Sequence, residues 1–346
     1  MSADFLTLLE TRFRAASTRE IGFSRSAEIA GARAHFSIFG ASLAAQIWPP
    51  FSHLETEFSG ETAWKIRLWD TASTGISPPE IDDSEFRLEW NCSPQRFFYS
   101  HDNTLAVYES HVGISWLHRP SKTLWGCFFD AKNWGVYERS RPLPFLLPLL
   151  AHERGVGVVH AGLVAHNSRG ALVVGKSGSG KTTTSLACLC GDLDFLGEDQ
   201  VGIAARDGEF SGFSFYNTAR VEDAHLARFP ELRACAEFEN GEKSLLFLGE
   251  IFGPTLRASV PIRAILLPKI PDENAPSHTR FSRAKGAEAL RATAADSLTL
   301  PMGGGRRGFE RLAQLARVTP CFHLHLGRDV RQIPLAVREI LDLESE

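Results

Sequence analysis

The chain has 346 residues, enough for two domains with full cores. A net charge of −4 and a pI near 6.3 imply no general attraction to nucleic acid, and no run of 18 apolar residues offers a membrane span. The six cysteines are scattered without a C-x-x-C pair, and the first residues lack the basic and apolar segments of an export signal, so a reduced, cytoplasmic protein is expected.

Apolar periodicity predicts a first helix near Ala3 to Ala16. Short alternating stretches follow, such as Ala63 to Trp69 and Phe86 to Trp90, separated by turn clusters at Ser77-Pro78-Pro79 and Asp102-Asn103. All seven tryptophans lie before residue 140. Residues 1–140 therefore read as a mainly β domain of antiparallel strands, whose aromatic residues suit either a plain core or a docking and assembly surface. The composition then changes, and residues 141–346 read as a second, α/β domain entered by a helix between Pro142 and Glu153.

Val158 to Ala165 is an apolar strand with His160 inside it, and the turn His166–Gly170 leads back into a second strand, Ala171 to Val174, as a hairpin. Gly175 to Thr182 then fits G-x-x-x-x-G-K-[ST], with a helix running on to Cys190. The chemistry needs these residue types. Gly175, Gly178 and Gly180 let the backbone curl so that N–H groups point at phosphate oxygens. The helix contributes its positive end, Lys181 reaches the β- and γ-phosphates, and the Thr182 hydroxyl ligates Mg²⁺. Gly175, Lys176, Ser177, Gly178, Ser179, Gly180, Lys181, Thr182 and Thr183 are thus the candidate nucleotide-binding residues. Phe195 to Val201 reads as a third strand bearing Glu198 and Asp199.

Further strands are expected near Val201–Ala204, Leu245–Leu248 and Ala264–Leu267, and helices at 285–296, 307–317 and 332–343. Met302 to Arg307 reads as a mobile Gly-rich loop, either a solvated linker, the reading slightly favoured, or one whose two arginines clamp a phosphate or carboxylate on closure. Lys243 and Lys269 are weaker phosphate contacts. Cys321, His323 and His325 would share one strand face, where core and surface roles outweigh metal binding.

His160 lies 21 residues before Lys181, and Asp199 lies 18 after it. That trio resembles the catalytic domain of HPr kinase/phosphorylase, in which an H-G-[VA]-L-like strand precedes the P-loop and an acidic pair follows it. The likeness covers about residues 155–203. Beyond it the chain resembles HPr-kinase-related proteins of bacterial peptide-tailoring clusters, including lasso-peptide kinases, through Ser214 to Ala219, Gly241 to Ser244, Ile265 to Ile270 and Thr319 to Gly327.

The resemblance implies an α/β P-loop domain of the HPr-kinase/PEP-carboxykinase kind. It also implies Asp199 as general base, His160 beside the transferred phosphoryl group, and Glu198 with Thr182 at the metal. The family's second Asp is Glu198 here, and its additional metal-binding Glu has no matching segment, although Glu222 lies in the region. ABC-type ATPases need an L-S-G-G-Q-like segment and small GTPases an N-K-x-D, and neither occurs. Phosphoenolpyruvate carboxykinases share Ser177 to Thr183, but their acidic cluster comes sooner and their chains are longer.

The expected function is an ATP- and Mg²⁺-dependent kinase acting on a serine hydroxyl of a peptide or small protein, such as a ribosomal-peptide precursor. A small-molecule kinase and a non-catalytic nucleotide-binding regulator are the alternatives. A homo-oligomer without nucleic-acid or membrane partners is expected.

Overall fold

The computed structural model describes residues 3–57, 62–206, 208–237, 243–270, 276–297 and 305–343. It is a mixed α/β protein that divides into two units, Met1–Leu150 and Ala151–Glu346. Among the described residues no helix is long and apolar enough to cross a membrane.

In the first unit Leu9, Phe13 and Ala16 recur at helical spacing along α1 (Ala3–Ser17) and are buried. They pack on Trp69, Trp116 and Trp125 of one eight-stranded sheet. Its strands are β1 (Gly22–Ile29), β2 (Ala32–Phe39), β3 (Trp64–Asp70), β4 (Phe86–Cys92), β5 (Gln95–Ser100), β6 (Leu105–Ser110), β7 (Gly113–His118) and β8 (Thr123–Phe128). Their order is β1-β2-β3-β8-β7-β6-β5-β4.

The sheet is not wholly antiparallel, as its sequence suggested: β3 runs parallel to both β2 and β8. The β2–β3 connection carries the helix Ala41–Ile47 and a 3-10 turn, Pro49–Leu54, which gives it the length a parallel crossover needs. Trp64, Trp69, Trp116, Trp125 and Trp134 are at most 5 % exposed, so most of the tryptophan content is core. Trp69 and Trp116 stack with ring centroids 6.3 Å apart.

The second unit is built on β9 (Gly157–His160), β10 (Gly162–His166), β11 (Arg169–Val173), β12 (Asp194–Gly197), β13 (Gln200–Arg206), β14 (Glu209–Ser214) and β18 (Ser259–Lys269), ordered β12-β10-β11-β18-β14-β13-β9. Two further strands extend it, β19 (Arg280–Arg283) and β20 (Cys321–His325), with β20 parallel to β18. A small sheet holds β15 (Thr218–Val221), β16 (Ala236–Glu237) and β17 (Ser244–Phe247).

Alternation sorts the central strands between two cores. Ala171, Val173, Ala264 and Leu266 face one, shared with α2 (Lys181–Cys190) and α5 (Ile333–Leu343). Leu172, Val174, Ile265 and Leu267 face the other, shared with α3 (Gly286–Ser297) and α4 (Gly305–Val318).

Two expected strands are each broken. Val158 to Ala165 splits at Ala161 into β9, which pairs with β13, and β10, which forms the hairpin with β11. Phe195 to Val201 splits at Glu198 and Asp199, which lie between β12 and β13.

Candidate functional site

Four places in the chain supply the site: the end of β9, the glycine-rich loop before α2, the break between β12 and β13, and β15. The loop begins where Val174 N–H donates to Leu266 O of β18 at 2.9 Å. Gly178 and Gly180 have φ of 76° and 102°, a region that costs an L residue energy. Ser179 N–H closes a turn onto Lys176 O at 3.1 Å, and Thr184 N–H opens α2 by bonding Gly180 O at 2.9 Å.

Lys181 is only 6 % exposed. Its ammonium donates to the carbonyls of Gly175 at 2.6 Å and Lys176 at 3.3 Å, so the charge is directed into the loop. Among the described residues the buried Ser179 Oγ has no hydrogen-bond partner. Lys176 and Ser177 are exposed on the loop, while Thr183 is half-buried in the first turn of α2.

The carboxylates join the other three places. Glu198 Oε2 accepts from Thr182 Oγ1 at 2.7 Å, and its Oε1 accepts from the Arg220 N–H at 3.2 Å. Asp199 Oδ1 lies 2.9 Å from His160 Nε2, and its Oδ2 accepts from Arg220 Nη2 at 3.2 Å. Ladder pairing of His160 with Gln200 brings the end of β9 beside the acidic pair. The His160 N–H donates to Ser297 Oγ at the end of α3, at 3.0 Å. Burial, followed by the neighbouring Asp199 charge, raises the Glu198 pKa, against lowering by the Thr182 hydroxyl and by Arg220.

Thr182, Glu198, Asp199 and His160 are thus linked in one hydrogen-bonded set at the start of the Lys181 helix. The other sequence candidates lie apart from it. Arg306 and Arg307 occupy the first turn of α4, where both are exposed and Arg306 pairs with Glu310 at 2.8 Å; Met302 to Gly304 lie outside the described residues. Gly241 and Glu242 lie outside them too, and Lys243 and Lys269 are exposed at strand ends. Glu222 is exposed beside His225, at 3.8 Å. His323 pairs with Glu288 and His325 with Ser282. Among the described residues no three His, Cys, Asp or Glu side chains are grouped to hold a metal ion, so a cation at this site would rest on Thr182 and Glu198 and on ligands that it brings with it.

Sequence reasoning missed Arg220. It touches both carboxylates from a four-residue strand, and the only local signal is an arginine between two buried residues, Ala219 and Val221.

No protein-family model matches the sequence, and no curated protein does. Among solved structures the chain is similar to the Hpr(Ser) kinase/phosphatase from Coxiella burnetii, at a TM-score of 0.29 and 10 % identity, over 54 % of this chain and 95 % of that one. At that TM-score the likeness carries no functional weight, and the assignment rests on the cluster itself.

Proposed function

We propose that the chain is a kinase that uses ATP and Mg²⁺ to phosphorylate a serine hydroxyl of a peptide or small protein. The observation that carries this reading is Asp199, held by His160 and Arg220 beside the Thr182–Glu198 bond at the head of the Lys181 helix. A module that only binds nucleotide has no use for a second oriented carboxylate there.

The residues suit a phosphate chain. The loop's glycines permit close backbone approach, Ser179 Oγ is an orphaned buried donor, and Lys181 already directs its charge inward. Thr182 and Glu198 would hold Mg²⁺, which when bound neutralises charge across the phosphate oxygens.

Asp199 takes the proton of the acceptor hydroxyl as that oxygen bonds to phosphorus and ADP departs. His160 and Arg220 would hold its two oxygens in a fixed direction for that transfer. Lys181 stabilises negative charge on the transferred group.

The test is incubation with γ-labelled ATP and candidate acceptors. Asp199→Asn should keep nucleotide affinity and lose transfer by about 10²-fold or more. Lys181→Ala should lose both. Near-normal turnover by Asp199→Asn would remove the base assignment, and ATP binding without transfer by the unaltered protein would favour a nucleotide-binding regulator.

A further inference from the structure

Helices α3 and α4 both rest on β9, the strand that ends in His160. Ser297 of α3 accepts the His160 N–H at 3.0 Å. On α4, Arg311 packs so closely on Gly157 that any side chain there would collide with its guanidinium. The two helices also meet each other tightly, since a side chain at Gly286 would strike Ala316 O. Their buried residues, Ala289, Leu312, Leu315 and Ala316, face the sheet.

Ala287, Arg291 and Phe309, with Leu290 and Ala294 at the edge of that core, line an open groove of about 470 Å³. Phe309 is 45 % exposed, a large aromatic left partly in water on a charged helix.

The stretch of sequence that carries this groove is basic, in a molecule of opposite net charge. Residues 280–318 contain eight Arg or Lys and three Asp or Glu, in a chain whose net charge is −4. Glu288 and Glu310 are already paired, with His323 and Arg306. Arg291, Arg307 and Arg317 are exposed and make no ion pair among the described residues. The groove therefore offers apolar contact beside the exposed Arg291 guanidinium, which selects an acidic partner carrying an apolar side chain.

We infer that the α3–α4 groove docks an acidic segment of the acceptor polypeptide, one apolar side chain of which lies against Phe309 and Leu290. This rests on the kinase assignment and supplies what the catalytic cluster lacks, a surface that distinguishes one polypeptide from another. Docking on helices braced against β9 places the rest of the polypeptide near His160 and Asp199.

The test uses the full-length protein without nucleotide and three short fluorescein-labelled peptides, each containing one Ser. One is Glu-rich with a Leu, the second has its Glu replaced by Lys, and the third has its Leu replaced by Ser. Fluorescence anisotropy should show the first binding tightest, with affinity that falls as salt rises. Arg291→Glu and Phe309→Ser should each weaken it about tenfold or more, and Arg291→Lys should restore it. Both side chains are exposed, and Ala294→Glu reports on the same groove if either variant fails to fold.

Equal binding of the Glu and Lys peptides, or tight binding unchanged by Arg291→Glu, overturns the proposal. So does sedimentation showing a dimer that Phe309→Ser converts to monomer, because a second copy would then fill the groove. Peptide binding without phosphate transfer counts against the kinase and leaves the groove standing; transfer without groove binding does the reverse.

Discussion

Glu198 is buried among groups that pull its titration in opposite directions, and the raising effects of burial and of Asp199 prevail. A carboxyl whose pKa is higher folded than unfolded contributes stability that is complete below the unfolded value, near 4.3, and is lost as pH rises through the folded value. Glu198→Gln, melted without Mg²⁺, should therefore have the higher Tm at pH 7 to 8, by about 2–4 °C for each kcal/mol recovered, and the advantage should vanish toward pH 4. Identical melting at every pH would show that Glu198 is ionised at no cost. The amide also keeps both partners, since its oxygen can accept from Arg220 N–H and its nitrogen can donate to Thr182 Oγ1. Arg220→Ala leaves that backbone bond in place but removes the guanidinium contact to Asp199 Oδ2, so kcat should fall by more than KM changes. An equal loss in both would make Arg220 a binding residue. Spacing from a motif picked out His160, Glu198 and Asp199, which the structure brings together. Arg220 and Ser297 were not, because each acts through a long-range contact, and a single sequence records no partner 21 or 137 residues away.

Within the loop, the three glycines are not equivalent. A side chain at Gly180 would need φ near 102° and would lie 2.7 Å from Leu326 Cδ1, whereas one at Gly178 would meet nothing within 4 Å. Gly180→Ala should cost about 1–3 kcal/mol in urea unfolding and weaken nucleotide binding; Gly178→Ala should carry only the conformational penalty. Similar losses for the two would mean that contact with Leu326 is immaterial. The loop and its helix were plain in the sequence because glycine spacing and apolar periodicity agree there. The breaks at Ala161 and at Glu198–Asp199 were hidden by apolar residues that continue across them. Strands buried on both faces read as unbroken runs, so nothing marks where one pairing ends and the next begins.

Each of the two units has a core of its own. Division of labour then predicts that a protein of residues 141–346 still binds ATP but phosphorylates its polypeptide with a raised KM, the first unit serving docking or assembly. The full-length KM in that shortened protein would leave residues 1–140 a structural role alone. Most of the tryptophans are already spent on the interior, so docking there would use other surface, such as the exposed strand β4. The strand order was not legible in the sequence, because parallel neighbours such as β3 and β8 lie far apart in it.

The strand that feeds the glycine-rich loop has one neighbour close in sequence and one remote. β10 reaches β11 through a short turn, whereas Leu172 meets Ile265 of β18 roughly 90 residues later. The hairpin can form early and cheaply, but the parallel seam must wait for a long loop to close. Folding rate should accordingly respond to Val164→Ala in the hairpin, while Leu266→Ala should chiefly hasten unfolding. Stopped-flow refolding that slows equally in both would place the seam in the nucleus. Otherwise the loop is among the last parts to become rigid, and a nucleotide that grips it would act mainly by lengthening the life of the native state.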